Sequence, residues 1–141
     1  SQLVVMVQKE VAKRIVANPG SMSLLALSVQ AYSTPVIVKE IPANAYYPIP
    51  AVDSAILHCD LTQPNQAFSG LDQQGQKQFW RFAKAGYSSK RKQLQNNLQS
   101  VLKNINIEEL FTTLGFSQTI RAQELSVDDW VNLVHEVQEL R

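Results

Sequence analysis

The chain has 141 residues, 45% of them apolar, and a net charge of +1. That is enough sequence for one domain, or one small domain plus a piece of another, burying about two-thirds of its unfolded surface. A single cysteine, Cys59, excludes an intramolecular disulfide and suits a reducing cytosol. No apolar run approaches about 18 residues, so no membrane-spanning helix is expected. Ser1-Gln2 opens the chain with neither a basic leader nor an initiator Met, so the natural start is expected upstream.

Charge is laid out unevenly. Residues 73–107 carry seven cations (Lys77, Arg81, Lys84, Lys90, Arg91, Lys92, Lys103) and no acid. Residues 108–141 carry seven acids against two cations, a local charge of −5. Such asymmetry fits either a polyanion-binding face beside an acidic region or a solvated basic helix surface.

In chain order, residues 3–7 form an unbroken apolar run, of a length that fits a strand buried on both faces in a parallel sheet, with its sheet neighbours expected to be missing from these residues. Residues 8–18 read as a helix with Val11 and Ile15 on one face, ended by Pro19-Gly20. A second helix is predicted over 23–32, and Pro35 stops it. Strands are predicted over 36–41 and 52–61, the second with Ala55, Leu57, Cys59 and Leu61 on its apolar face. A proline-rich connector, residues 42–50, joins them. Residues 62–75 are rich in Gln, Asn, Gly, Ser and Pro and read as a linker.

The remainder is helical in pattern. Phe79, Trp80, Phe82, Ala83 and Tyr87 suit one amphipathic helix. Ser89 can cap the next, whose stripe is Leu94, Leu98, Val101 and Leu102. Asn106 can cap a short helix closed by Gly115, and Ser126 with Asp129 resembles a capping box for the last. That last helix turns Val127, Trp130, Val131, Val134 and Val137 inward. The expected architecture is α/β plus all-α: an α/β part over 1–62, a linker over 63–75 and a helical part over 76–141.

Three chemistries are weak on the residues alone. His58 and Cys59 are neighbours on a strand and point to opposite faces, so they form no dyad. One cysteine and two distant histidines make a zinc site improbable. Asp53-Ser54 reads as a pair satisfying backbone groups at a strand entrance rather than as a catalytic carboxylate. Glu108-Glu109 and Asp128-Asp129 fall in first helical turns, where they complement the dipole.

Four stretches, in order across nearly the whole chain, carry a resemblance. The first runs Met6-Val7-Gln8-Lys9-Glu10-Val11-Ala12 with Arg14, followed by Leu27-Ser28-Val29 and Tyr32. The second is Tyr46-Tyr47-Pro48-Ile49-Pro50-Ala51-Val52-Asp53-Ser54-Ala55, similar to F-x-P-x-P-x-V-D-S-A. The third, residues 90–98, is similar to R-R-K-T-L-x-N-x-L, and Arg121-Ala122 with Glu124-Leu125-Ser126 follows. Together they resemble the ribosomal RNA adenine dimethyltransferases, the kasugamycin-sensitivity methylase family. The family's G-x-G-x-G and N-L-P-Y motifs do not occur in these residues.

The resemblance implies the C-terminal part of a Rossmann-like, doubly wound methyltransferase sheet followed by a small helical domain that binds RNA. The whole enzyme would transfer methyl groups from S-adenosylmethionine to adjacent adenines of small-subunit (16S-type) ribosomal RNA in the pre-30S subunit, in the cytoplasm. The fragment alone is expected neither to bind that cofactor nor to turn over. Large-subunit methylases of the macrolide-resistance type, mitochondrial transcription-factor relatives and a bare nucleic-acid-binding module are the rival readings.

By the resemblance, Tyr46 stands where a phenylalanine usually stacks on the target adenine. The residues alone favour both tyrosines packing between strands. Two prolines beside them stiffen the backbone and hold an aromatic face at low entropy cost. Lys90, Arg91, Lys92, Lys84 and Asn96 are the expected RNA contacts, with Lys77 and Arg81 extending the patch. The cluster at 90–92 is predicted at a helix start, where cations oppose the dipole, so phosphate is its natural partner. Ala51 replaces a usual Lys, and Lys90 and Gln95 replace usual arginines.

Overall fold

The computed structural model covers residues 1–141. Strand β1 (Gln2–Gln8) leads directly into α1 (Lys9–Ile15), and α2 (Leu24–Gln30) follows. Ser23 caps α2 by accepting the Ala26 N–H at 3.1 Å. Strands β2 (Thr34–Ile41) and β3 (Ser54–Asp60) complete a three-stranded sheet of order β1-β3-β2. β3 pairs antiparallel with both neighbours. β1 and β2 therefore run parallel to each other, joined by the α1–α2 crossover, with β3 inserted between them.

The strand expected over residues 3–7 forms, and the one neighbour it has in this chain, β3, is antiparallel. β1 is hydrogen-bonded on one side only and is not buried on both faces: Val4 is 62% and Met6 58% exposed. An apolar run encodes burial demand and not strand direction, so periodicity cannot separate a parallel neighbour from an antiparallel one. The other face of the sheet packs on the helices through Leu57, Cys59 and Ile15. Ala55, Leu57 and Cys59 are buried as the alternation predicts. Leu61 is not: β3 ends at Asp60, whose carboxylate accepts from the backbone and hydroxyl of Thr62 and turns the chain away.

The expected linker is packed structure. Asn65 caps a one-turn helix, α3 (Gln66–Ser69), and its amide also donates to Asp128 at 2.8 Å. Phe68 is 1% exposed, and Leu71 is also buried. Two apolar residues in a polar stretch suffice to dock it, which composition alone hides. Met22, Ala26, Leu27 and Ala31 of the α/β half join the same core as Phe79, Phe82, Leu98 and Trp130 of the helical half. The two halves thus share one interior.

The helical half comprises α4 (Gln73–Gly86), α5 (Leu94–Leu98), α6 (Ile107–Leu114) and α7 (Val127–Leu140). Asp72 caps α4, which turns Phe79, Phe82 and Ala83 inward and leaves Lys77, Arg81 and Lys84 exposed. The Asn106 cap, the left-handed Gly115 at φ 76° and the Ser126–Asp129 capping box all form as the sequence predicts. Helix α5 is shorter than expected and starts later. Gln93, not Ser89, stands at its N-cap, without a side-chain bond.

Candidate nucleic-acid interface

Three of the predicted site residues fall in two different features of the fold, Tyr46 in one and Lys90 with Lys92 in the other. The first is the connector after β2. Its short 3₁₀ turn, Ala43–Ala45, is braced by Asp53, whose Oδ1 accepts the Ala43 N–H at 2.9 Å. That contact supports the backbone-satisfying role for Asp53. Tyr46 follows immediately, half-buried, and its hydroxyl donates to the Met6 sulfur at 2.8 Å. Tyr47 is 99% exposed. Met6 lies near the carboxyl end of β1, and the connector leaves the carboxyl end of β2. Open α/β sheets receive their ligands at that end of parallel strands.

The second feature is a cleft of about 460 Å³ between the two halves. Arg14 of α1 and residues 21–25, which run into the first turn of α2, form one wall. Tyr87, Lys90 and Lys92 form the other, and Arg121 stands in the segment before α7. Four cations and no acid line it. The walls are held in register by backbone: Gly20 and Met22 N–H groups both donate to the Gln123 carbonyl, at 2.9 and 3.1 Å. The Tyr87 hydroxyl donates to the Ala122 carbonyl at 3.0 Å, and burial raises its pKa. The molecule's ion pair joins Lys9 and Glu40 at 3.2 Å, so no carboxylate pairs with the cleft's cations.

Lys90 and Lys92 enter this cleft. Arg91 is exposed on the same turn but does not line it, nor do Lys84 on α4 or Asn96 on α5, both exposed. Tyr46 belongs to the other feature. Lys90, Arg91 and Lys92 sit in a turn closed by the Lys92 N–H to Ser89 carbonyl bond at 3.2 Å, and α5 begins only at Leu94. The expectation of a helix tip is therefore corrected: the three cations lie in the turn ahead of the Gln93 N-cap, outside the first turn of α5. The turn arises because Asn97 and Lys92 both claim the Ser89 carbonyl, leaving residues 90–92 outside the helical ladder.

Sequence reading passed over Arg14 and Arg121 as contacts. Both stand in the stretches that carried the family resemblance, and neither lies in a run of positive charge. Only the loop after α1, bonded through Gly20 and Met22 to the Gln123 carbonyl, brings them to the same opening as Lys90 and Lys92. Isolated arginines flanking a loop of opposite lobes leave no one-dimensional signal beyond the motif itself.

Residues 1–139 match the family model described as "Ribosomal RNA adenine dimethylase". Among curated relatives, the "Ribosomal RNA small subunit methyltransferase A" of Dehalococcoides mccartyi is 41% identical over 93% of this chain and 44% of its own length. That of Nostoc punctiforme is 37% identical over 96% of this chain and 46% of its own. The chain thus spans less than half the length of these relatives. Two solved structures share the fold. A dimethyladenosine transferase from Plasmodium falciparum superposes with a TM-score of 0.75 at 21% identity, over 98% of this chain and 57% of that one. The 23S rRNA methyltransferase ErmE superposes with a TM-score of 0.70 at 16% identity, over 97% and 55%. With the family model matched across all but its last two residues, this chain belongs to the ribosomal RNA adenine dimethylase family.

Proposed function

We propose that the chain is the RNA-handling portion of a cytoplasmic enzyme that dimethylates the exocyclic amines of adjacent adenines in small-subunit ribosomal RNA, with S-adenosylmethionine as donor. The acid-free cleft carries this reading. Four uncompensated cations from both halves form a concave, fixed surface for a phosphate backbone. Relatives named for the small subunit, at 37–41% identity, favour that subunit over the large one.

Tyr46 has the separate task of gripping the extracted base. Its ring is only half-buried, and its hydroxyl is tethered to Met6, which fixes the ring's angle. A base stacked on such a face gains about 1–3 kcal/mol. Lys84, Arg91 and Asn96 are outer contacts, reaching phosphates or sugars beyond the cleft. An amine attacking a methyl group needs orientation more than a base, so holding hairpin and adenine in place is the contribution these residues make.

On this reading the donor is held outside these residues. A glycine-rich strand-to-helix turn is its usual cradle, but the chain turns from β1 into α1 through Gln8-Lys9. The five glycines stand at 20, 70, 75, 86 and 115, away from that turn.

The test uses Tyr46→Ala and Tyr46→Phe in the full-length protein. Loss of one stacked base should cut methylation about 10- to 100-fold with a smaller loss of RNA binding, and Phe should restore most of the rate. Equal losses of binding and methylation would remove the stacking role.

A further inference from the structure

Three clustered cations on a four-residue turn, Ser89 to Lys92, repel one another, and an unanchored turn would sample many geometries. Something in the fold fixes this one. Two carbonyls bracket its approach, that of Gly86 at the end of α4 and that of Ser89 just ahead of Lys90. Both accept from the same donor, the side-chain amide of Asn97, at 2.9 Å each. Asn97 is 8% exposed, one of only two polar residues in the buried set. Its neighbour Asn96 is exposed.

The anchor itself is rigid. A Cβ at Gly86 would lie 2.5 Å from Trp130 Cη2 and 2.9 Å from Leu94 Cδ1, so the α4 terminus rests directly on the core. The other side of α5 ties to the opposite cation-bearing segment. Leu94 N–H donates to the Ile120 carbonyl at 2.8 Å, and the Gln95 amide donates to the Gln118 carbonyl at 2.9 Å. Arg121 is the next residue after Ile120. One short helix therefore registers both stretches: residues 90–92 through the Asn97 side chain, and Arg121 through its backbone.

We propose that Asn97 is a positioning residue of the cleft: its amide holds the Lys90–Lys92 turn at the separation from Arg14 and Arg121 that a phosphate backbone requires. This rests on the reading of the cleft as an RNA interface. A turn fixed before binding has less disorder to lose when RNA arrives.

A double-mutant cycle on the 141-residue chain tests it, with a fluorescent RNA hairpin carrying two adjacent loop adenines as probe. Asn97→Ala is expected to weaken binding about tenfold and flatten the salt slope by about one. In a background lacking Lys90, Arg91 and Lys92 charge (all three to Ala), the same substitution should cost less than about twofold, because the residue acts only through that turn. If circular dichroism shows Asn97→Ala unfolded, Asn97→Ser carries the cycle, keeping one donor and showing a smaller loss with the same dependence on background. Equal losses in the two backgrounds, or a folded variant that binds like the unaltered chain, would overturn the positioning role. Failure of the unaltered chain to bind the hairpin would instead overturn the RNA reading of the cleft, and the proposal with it.

Discussion

The two halves of this molecule handle apolar surface in opposite ways. The helical half sinks Phe79, Phe82, Leu98, Phe111, Trp130 and Val134 into one interior, and it draws Leu27 and Ala31 of the α/β half into the same core. The sheet keeps only Ile15, Leu57 and Cys59 in a separate buried cluster, and it leaves Val4, Met6, Val36 and Val38 half or more exposed. Cohesion therefore resides in the helical half and extends into the sheet half through α2. The cleft lies along that seam, where a rigid wall can present charge, and Tyr46 lies out on the sheet side.

The sharpest way to break this contrast is Trp130→Ala. It opens a cavity in the shared core and should cost about 3–5 kcal/mol, measured by urea denaturation. Because the core is shared, far-UV and tyrosine signals from both halves should be lost in one transition. A surviving folded sheet half would show that the halves are independent. Gly86→Ala comes next. Its methyl group would press on Trp130 and Leu94, at a cost of about 1–3 kcal/mol. A neutral result would mean that the α4 terminus has room to move, and that the basic turn is less firmly seated than its bonds suggest.

Tyr87→Phe removes one bond to the Ala122 carbonyl and should cost about 0.5–1.5 kcal/mol near neutral pH. Its pH dependence has a definite sign. Burial raises the native phenol's pKa above the unfolded value of about 10. The stabilisation is therefore complete below pH 10 and is lost as pH rises through the native value. Denaturation midpoints at pH 8 and 11 should fall further for the unaltered chain than for Tyr87→Phe. On the open face of the sheet, Val4→Thr should change stability by no more than about 0.5 kcal/mol. A larger loss would show that this face is covered in solution.

How much was legible followed how local each signal was. The Asn106 cap, the Gly115 stop, the Ser126–Asp129 box and the inward stripe of α7 are set within a few residues, and each formed as read. So did the alternation of Ala55, Leu57 and Cys59. Strand order was not legible, because no periodicity records that β3 lies between β1 and β2. Phe68 was hidden inside a polar stretch and docks only because a core is there to receive it. The basic turn looked helical since its departure from the ladder depends on Asn97, a buried side chain reaching back to carbonyls eight and eleven residues earlier. Arg14 and Arg121 meet Lys90 and Lys92 only in three dimensions.

The central claim is that cations from both walls of the cleft grip one RNA backbone. Its most direct measurement is the salt dependence of hairpin binding by the unaltered chain and by Arg14→Ala/Arg121→Ala. The paired substitution should weaken binding about 10- to 100-fold and reduce the slope of log affinity against log salt by about one to two, with denaturation midpoints unchanged. An unchanged slope and affinity in a folded double variant would place the RNA elsewhere and contradict the account.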